Sequence, residues 1–214
     1  MNALKRRPRR SPRPRLGPPD PRVLFFRDFL LRPKQVGSIV PSSRFLEQRV
    51  VRGAGLSSAR TVVELGPGTG GTTRALLREL PADAKLLVIE INPRFAALIR
   101  RSIQDPRLRI EVGDASDLGR HLAAQGLPAP DAVVSGIPFS TMPRALGLRI
   151  LRAVHEALAP GGRFVAYQVR DRVAVLGRSV FGTPAVEAEI RNVPPMRVWR
   201  WTKPGAADPA LPTV

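Results

Sequence analysis

Three glycines at alternate positions, Gly66, Gly68 and Gly70, fall in the run VVELGPGTGG (residues 62 to 71), between an apolar β-branched segment and a helical pattern beginning near Thr72. Without a Cβ the backbone can turn sharply there and approach a ligand, as a nucleotide loop requires. The letters leave the nucleotide class open, because Gly66, Gly68 and Gly71 also fit the dinucleotide pattern G-x-G-x-x-G. Glu64 weighs against a pyrophosphate: at the strand end it puts negative charge where phosphates would sit and favours a ligand with a cationic centre. Glu90 ends a second apolar segment twenty residues beyond Gly70, where an acid can accept from both ribose hydroxyls. Asp114, between Gly113 and Ala115 at the end of a third segment, can accept an adenine N6 hydrogen.

Such acids converge only if their segments are neighbouring strands. Runs at 61 to 65, 86 to 90, 108 to 112, 131 to 135 and 163 to 169 read as strands. Helical patterns at 71 to 80, 93 to 103, 116 to 124 and 143 to 158 separate most of them, the last stopped by Pro160-Gly161-Gly162. This alternation predicts an α/β fold with a mostly parallel sheet covered on both faces, and a crevice outside its carboxyl edge. VEAEIRN and RVWRWT alternate in period two around Val193-Pro194-Pro195-Met196 and predict a closing antiparallel hairpin. A further helix is expected over about 43 to 53, with Ser42 and Ser43 as cap candidates.

The chain of 214 residues is long enough for one domain and too short for separate cofactor and substrate domains. It has no Cys, which excludes disulfides, thiolate zinc sites and a cysteine nucleophile, and no metal site is predicted. No apolar run approaches the roughly 20 residues of a spanning helix. The net charge of +18 predicts attraction to nucleic acid, an anionic membrane or acidic ligands, and half of it lies in residues 1 to 34. Residues 1 to 21 read as a disordered arm of alternating Arg and Pro, residues 22 to 34 as an amphipathic helix, 35 to 203 as the domain and 204 to 214 as a loose tail. In that helix Phe25, Phe26, Phe29 and Leu30 form an apolar face flanked by Arg27, Arg32 and Lys34, as expected of a helix lying in a membrane interface. Docking of the same face on the domain core is the alternative.

From Glu64 to Gly70, at Glu90 and at Gly113-Asp114-Ala115, the chain resembles the Rossmann-like class I S-adenosylmethionine-dependent methyltransferases, with a seven-stranded sheet. The resemblance covers about 35 to 203. It implies S-adenosylmethionine as cofactor, with S-adenosylhomocysteine as product. Glu64, Gly66, Gly68, Thr69 and Gly70 would then meet the methionine moiety, Glu90 and Ile91 the ribose, and Asp114 and Ala115 the adenine. A dehydrogenase would need a catalytic domain for which no sequence is left. RDFLLRPKQVGSIVPSSRFL (27 to 46), SGIPF (135 to 139) followed by Met142-Pro143, and Asn192-Val193-Pro194-Pro195 are similar to bacterial phospholipid N-methyltransferases. That likeness implies methylation of phosphatidylethanolamine toward phosphatidylcholine by a peripheral protein on the cytoplasmic face of the inner membrane. It places Gly37, Ser38 and Ser135 at the cofactor, and Ile39, Pro41, Ser42, Pro138 and Phe139 at the substrate.

An ornithine-lipid enzyme and an rRNA adenine N6-methyltransferase are the other readings, together with a lipid-binding module that has lost activity. The RNA enzymes carry an Asn where this chain has Gly136, so a nucleobase amine lacks its side-chain acceptor and nucleic acid is disfavoured as partner. Attack on a sulfonium methyl needs an unprotonated amine, and a lipid amine should titrate near a pKa of about 10. Tyr167 and Ser135 are the candidates for catalytic contact with it. Phe139 could face the ammonium as methyls accumulate. His121 and His155 read as surface or helix-packing residues.

Overall fold

The computed structural model describes residues 43–205. Helix α1 (Arg44–Ala54) starts where the Ser43 hydroxyl accepts from the Leu46 amide, and stops at Gly55 in the left-handed region. The chain then alternates through β1 (Thr61–Leu65), α2 (Gly71–Glu79), β2 (Lys85–Glu90), α3 (Pro93–Ser102) and β3 (Leu108–Val112). It continues with α4 (Leu118–Ala124), β4 (Ala132–Ser135), α5 (Arg144–Ala157), β5 (Arg163–Gln168), α6 (Arg172–Phe181), β6 (Ala185–Glu189) and β7 (Met196–Thr202).

The strands form one sheet in the order β3-β2-β1-β4-β5-β7-β6. β1 pairs in parallel with β2 and β4, β2 with β3 and β4 with β5, whereas β7 runs antiparallel to both β5 and β6. The expected seven-stranded Rossmann-like sheet with its closing hairpin is therefore present. Val62, Leu86, Val88, Val134 and Val165 pack against α1, α2 and α3 on one face. Val63, Leu65, Leu87, Ile89 and Phe164 pack against α4, α5 and α6 on the other. Burial on both faces explains why β1 is apolar apart from Thr61 and Glu64.

Two departures from the sequence reading have local causes. The helix expected over 116 to 124 is broken in two, because the Asp114 carboxylate accepts from the Ser116 amide and starts a short 3-10 turn, Ala115–Asp117, ahead of α4. Helix α6 was not expected. It is rich in Val and carries Gly177, where an added Cβ would stand 2.6 Å from the Trp201 ring, so the helix forms to cover the hairpin rather than from propensity.

Chain order reverses between β1 and β4, and the crevice opens at their carboxyl ends, where a doubly wound sheet binds ligands. Gln168 opposite Arg197 and Glu189 opposite Met196 place the hairpin turn, 190–195, on this same edge. Asn192 joins α1 to it: its Oδ1 accepts from the Ser43 amide at 2.9 Å, and its Nδ2 donates to the Pro194 carbonyl. Arg49 of α1 bridges Glu187 and Glu189 of β6. Hydrogen bonds from Arg191 and Arg49 hold the Glu189 carboxyl well below its ordinary range.

Candidate active site

The crevice is walled by Gly66 from the β1 end, Glu90 and Ile91 from β2, Gly113 to Ala115 from β3, and Ile137 and Pro138 after β4. Met142, Leu146 and Ile150 close one side. Its wall is mostly apolar, as a planar base requires, with carboxylates at two strand ends. Gly66, Gly68 and Gly70 all have φ between +59° and +84°, a conformation that side chains strain to adopt. Gly113 is needed for a different reason: the His121 ring fills the space of its side chain, since an added Cβ would lie 2.3 Å from the imidazole Cε1.

Glu90 is almost fully enclosed. Burial raises its carboxyl to about 7, although the amides of Asn92, Gly68 and Ile91 oppose the shift. The Asn92 amide donates to Oε1 at 2.8 Å, while Oε2 has no hydrogen-bond partner among the described residues. Four buried side-chain atoms are in that condition: Glu64 Oε1, Glu90 Oε2, His121 Nε2 and Gln168 Oε1. All four belong to residues around the carboxyl edge. Unsatisfied buried acceptors are rare in folded proteins, and at Glu90 a pair of ribose hydroxyls would supply the missing donors. The residues present thus fit an adenosine-type ligand.

Residues 62–162 match the family described as Methyltransferase domain. An ornithine lipid N-methyltransferase of Singulisphaera acidiphila is 34% identical over 177 residues, which cover 80% of this chain and 91% of that one. The chain belongs to the class I S-adenosylmethionine-dependent methyltransferases. Ribosomal RNA small subunit methyltransferase A of Nocardia farcinica is 35% identical across 81% of this chain, but the match spans only 59% of its own length. N-methyltransferase NodS from Bradyrhizobium japonicum WM9, solved in complex with S-adenosyl-l-homocysteine, shares the fold at a TM-score of 0.61 and 17% identity, over 75% of this chain and 87% of its own. The protein is thus an S-adenosylmethionine-dependent N-methyltransferase.

In this methyltransferase Glu90, Ile91, Asp114, Ala115 and Pro138 line the crevice together with Gly66. Glu64 does not. It faces α2, where the Thr73 hydroxyl donates to Oε2 at 2.6 Å, and it is wholly buried. Burial, with Glu90 and Glu47 nearby, raises its carboxyl to about 8, which favours the protonated form at neutral pH and works against the negative charge expected at the glycine loop. Only two of the three strand-end acids share the crevice wall.

Ser135 is also fully buried, its hydroxyl accepting from the Ile137 amide at 3.2 Å; it sets the turn after β4 and does not wall the crevice. Phe139 points into the core against α5, so it cannot present its ring to an ammonium. Thr69 is exposed on the loop. Tyr167 is buried, with its hydroxyl 3.1 Å from Thr72 Oγ1, and burial beside Glu64 drives the phenol well above its ordinary value. It stays protonated and cannot serve as general base. His121 is buried rather than on the surface, whereas His155 packs edge-on against Phe181. Gly37, Ser38, Ile39, Pro41, Ser42 and the segment from Phe25 to Lys34, with Phe26, Arg27, Phe29, Leu30 and Arg32, lie outside the described residues.

The sequence reading passed over Gln168, although a polar residue closing an apolar strand at the ligand edge is itself a signal. Its amide Nε2 donates to the Ile137 carbonyl at 2.8 Å and so holds the loop that walls the crevice.

The state of Glu64 makes stability depend on pH. Its folded pKa lies above the unfolded value of 4.5, so its contribution is complete below about 4.5 and is lost as pH rises through about 8. Gln at this position never ionises. Glu64→Gln should therefore lose less thermal stability than the parent between pH 5 and pH 9, the difference reaching on the order of a few kcal/mol. Melting both proteins without ligand at the two pH values checks this, and parallel losses would show that Glu64 is charged in the fold.

Proposed function

We propose that the protein transfers methyl groups to the primary amine of a membrane lipid of the phosphatidylethanolamine type, at the bilayer surface. The observation that carries the reading is the packing around Gly136. A Cβ there would stand 2.7 Å from the Gly66 carbonyl oxygen and 2.7 Å from the Tyr167 hydroxyl, so the site has no room for the side-chain amide that nucleobase-amine enzymes use. The identity to an ornithine lipid N-methyltransferase over nearly its whole length supports a lipid amine as well.

The surface around the crevice favours a lipid phase. Val169, Val175, Ile190 and Val193 are exposed, and all follow β5 or cap the hairpin at the carboxyl edge. Arg170, Arg172, Arg191 and Arg197 are exposed among them, with Asp171 the one acid in these two connections that is not buried. Apolar side chains beside cations suit an interface with anionic headgroups. The amphipathic face of residues 23 to 34 would add to it. Among the described residues no helix is long and apolar enough to cross a membrane.

The bound cofactor supplies an electrophilic methyl on a sulfonium centre. The chain's part is to orient the amine, exclude water and let the proton leave. An apolar wall of Ile137, Pro138, Met142 and Leu146 disfavours the charged amine and so eases proton loss.

Incubation with methyl-labelled S-adenosylmethionine tests the reading, with vesicles of phosphatidylethanolamine, vesicles of ornithine lipid and rRNA in separate tubes. Label is expected in the organic phase of a lipid tube. Label confined to rRNA would refute the lipid reading, and the two lipid tubes separate the two sources of amine.

A further inference from the structure

We propose that the carboxamide oxygen of Gln168 receives an N–H of the substrate amine and thereby sets which methylation stage the enzyme prefers. This rests on the amine reading above. Gln168 closes β5 at the carboxyl edge and is 6% exposed. The hydrogen bond from Nε2 to the Ile137 carbonyl fixes which end of the amide is oxygen, since a carbonyl there can only accept. That leaves Oε1 buried with no hydrogen-bond partner among the described residues. Glu90 has a similar signature: one half of a buried polar head group is engaged by the protein, the other half is an acceptor without a partner among the described residues, and the residue ends a strand beside the crevice. At Glu90 a ligand hydroxyl would supply the missing donor.

Other groups at the ends of β4 and β5 are excluded from this role one by one. Gly136 has no side chain, the Ser135 hydroxyl is held by the Ile137 amide, Phe139 lies in the core, and the Tyr167 hydroxyl is shared with Thr72. Gln168 Oε1 is the side-chain acceptor that remains, tied through Ile137 to the crevice wall. A neutral oxygen receives an N–H without stabilising the ammonium as strongly as a carboxylate would, which suits a nucleophile that must shed a proton. Each methyl added to nitrogen removes one N–H. The contact is therefore most available to the unmethylated amine and least to the dimethylated one.

The test uses the full chain with Gln168→Met and Gln168→Glu, offered lipids with primary, monomethylated and dimethylated amine headgroups. Gln168→Met removes both donor and acceptor, whereas Gln168→Glu keeps the acceptor and removes the donor to Ile137. We expect Gln168→Met to lower kcat/KM about tenfold or more on the primary amine and less than about threefold on the dimethylated one, the worth of one hydrogen bond to a polarised donor. Gln168→Glu should retain binding of the primary amine, measured by calorimetry with a short-chain lipid in the presence of S-adenosylhomocysteine. A melting transition as cooperative as the parent's in both variants shows an intact fold. Equal losses on all three lipids, or a Glu variant as impaired as the Met variant, would overturn the assignment and leave Gln168 as a brace for the loop. If the unmodified protein methylates none of the lipids and labels RNA, the lipid reading fails first and this one falls with it.

Discussion

Gly136→Ala is expected to lower stability by about 1–3 kcal/mol, and Gly136→Asn to abolish methyl transfer altogether. A side chain at 136 meets two obstacles, both 2.7 Å from its Cβ, and one of them is backbone. Neither can move cheaply. The Gly66 amide donates to the Ile89 carbonyl and the Gly136 amide to the Leu65 carbonyl, so both turns are locked to neighbouring strands. The Tyr167 ring sits in the core formed with α1 and α2. The displaced atom would be the Gly66 loop, which walls the crevice, so affinity for S-adenosylhomocysteine should fall together with the melting temperature, by about 2–4 °C per kcal/mol for a chain of this size. Tyr167→Phe removes one obstacle and should restore part of the stability of Gly136→Ala, which a double-mutant cycle reads directly. An Asn variant that melts like the parent and gains activity on adenine would show that the loop accommodates a side chain and that the substrate is a nucleobase.

Glu90 should make cofactor binding depend on pH. Its carboxyl lies near 7, and bidentate acceptance from a ribose needs the ionised form. At pH 6 roughly a tenth of the free protein carries that form and at pH 8 about nine-tenths, so affinity for S-adenosylhomocysteine should tighten about tenfold over this range. Glu90→Gln removes the slope and weakens binding by about 1.5–3 kcal/mol. Calorimetry at pH 6, 7 and 8 on both proteins checks this. A parent as flat as the variant would mean that Glu90 is ionised before the ligand arrives, or makes no contact with it.

Much of this architecture was legible because its signals are local. The bounds of β1 and β3 coincide with the apolar runs, Gly66 to Gly70 sit where a strand becomes a helix, and Glu90 and Asp114 fall at strand ends that parallel pairing aligns. Errors arose where direction matters more than position. Glu64 and Ser135 lie close in sequence to the ligand edge, yet a strand buried on both faces gives no hydrophobic alternation from which to read which side a residue takes, and Phe139 falls in a short 3-10 turn too brief to show a period. The protonation preference of Glu64 is equally hidden in the sequence, since only the packing of α2 over it removes water. Helix α6 escaped because its Val and Gly content argues against a helix until Trp201 is in place.

The hydrogen bond between Ser43 and Asn192 fixes where the first 42 residues are attached. They join the domain at the hairpin turn, on the edge where the crevice opens, and not at the opposite end of the sheet. Eight residues lie between Lys34 and Ser43, a stretch of chain that even fully extended would span roughly 30 Å. If the aromatic and arginine-rich segment binds a membrane, as proposed above, that surface stays within about one molecular diameter of the opening. Substrate on such a surface would then be met at an effective concentration set by the length of that segment and no longer by the bulk, so each captured surface could be worked repeatedly before release.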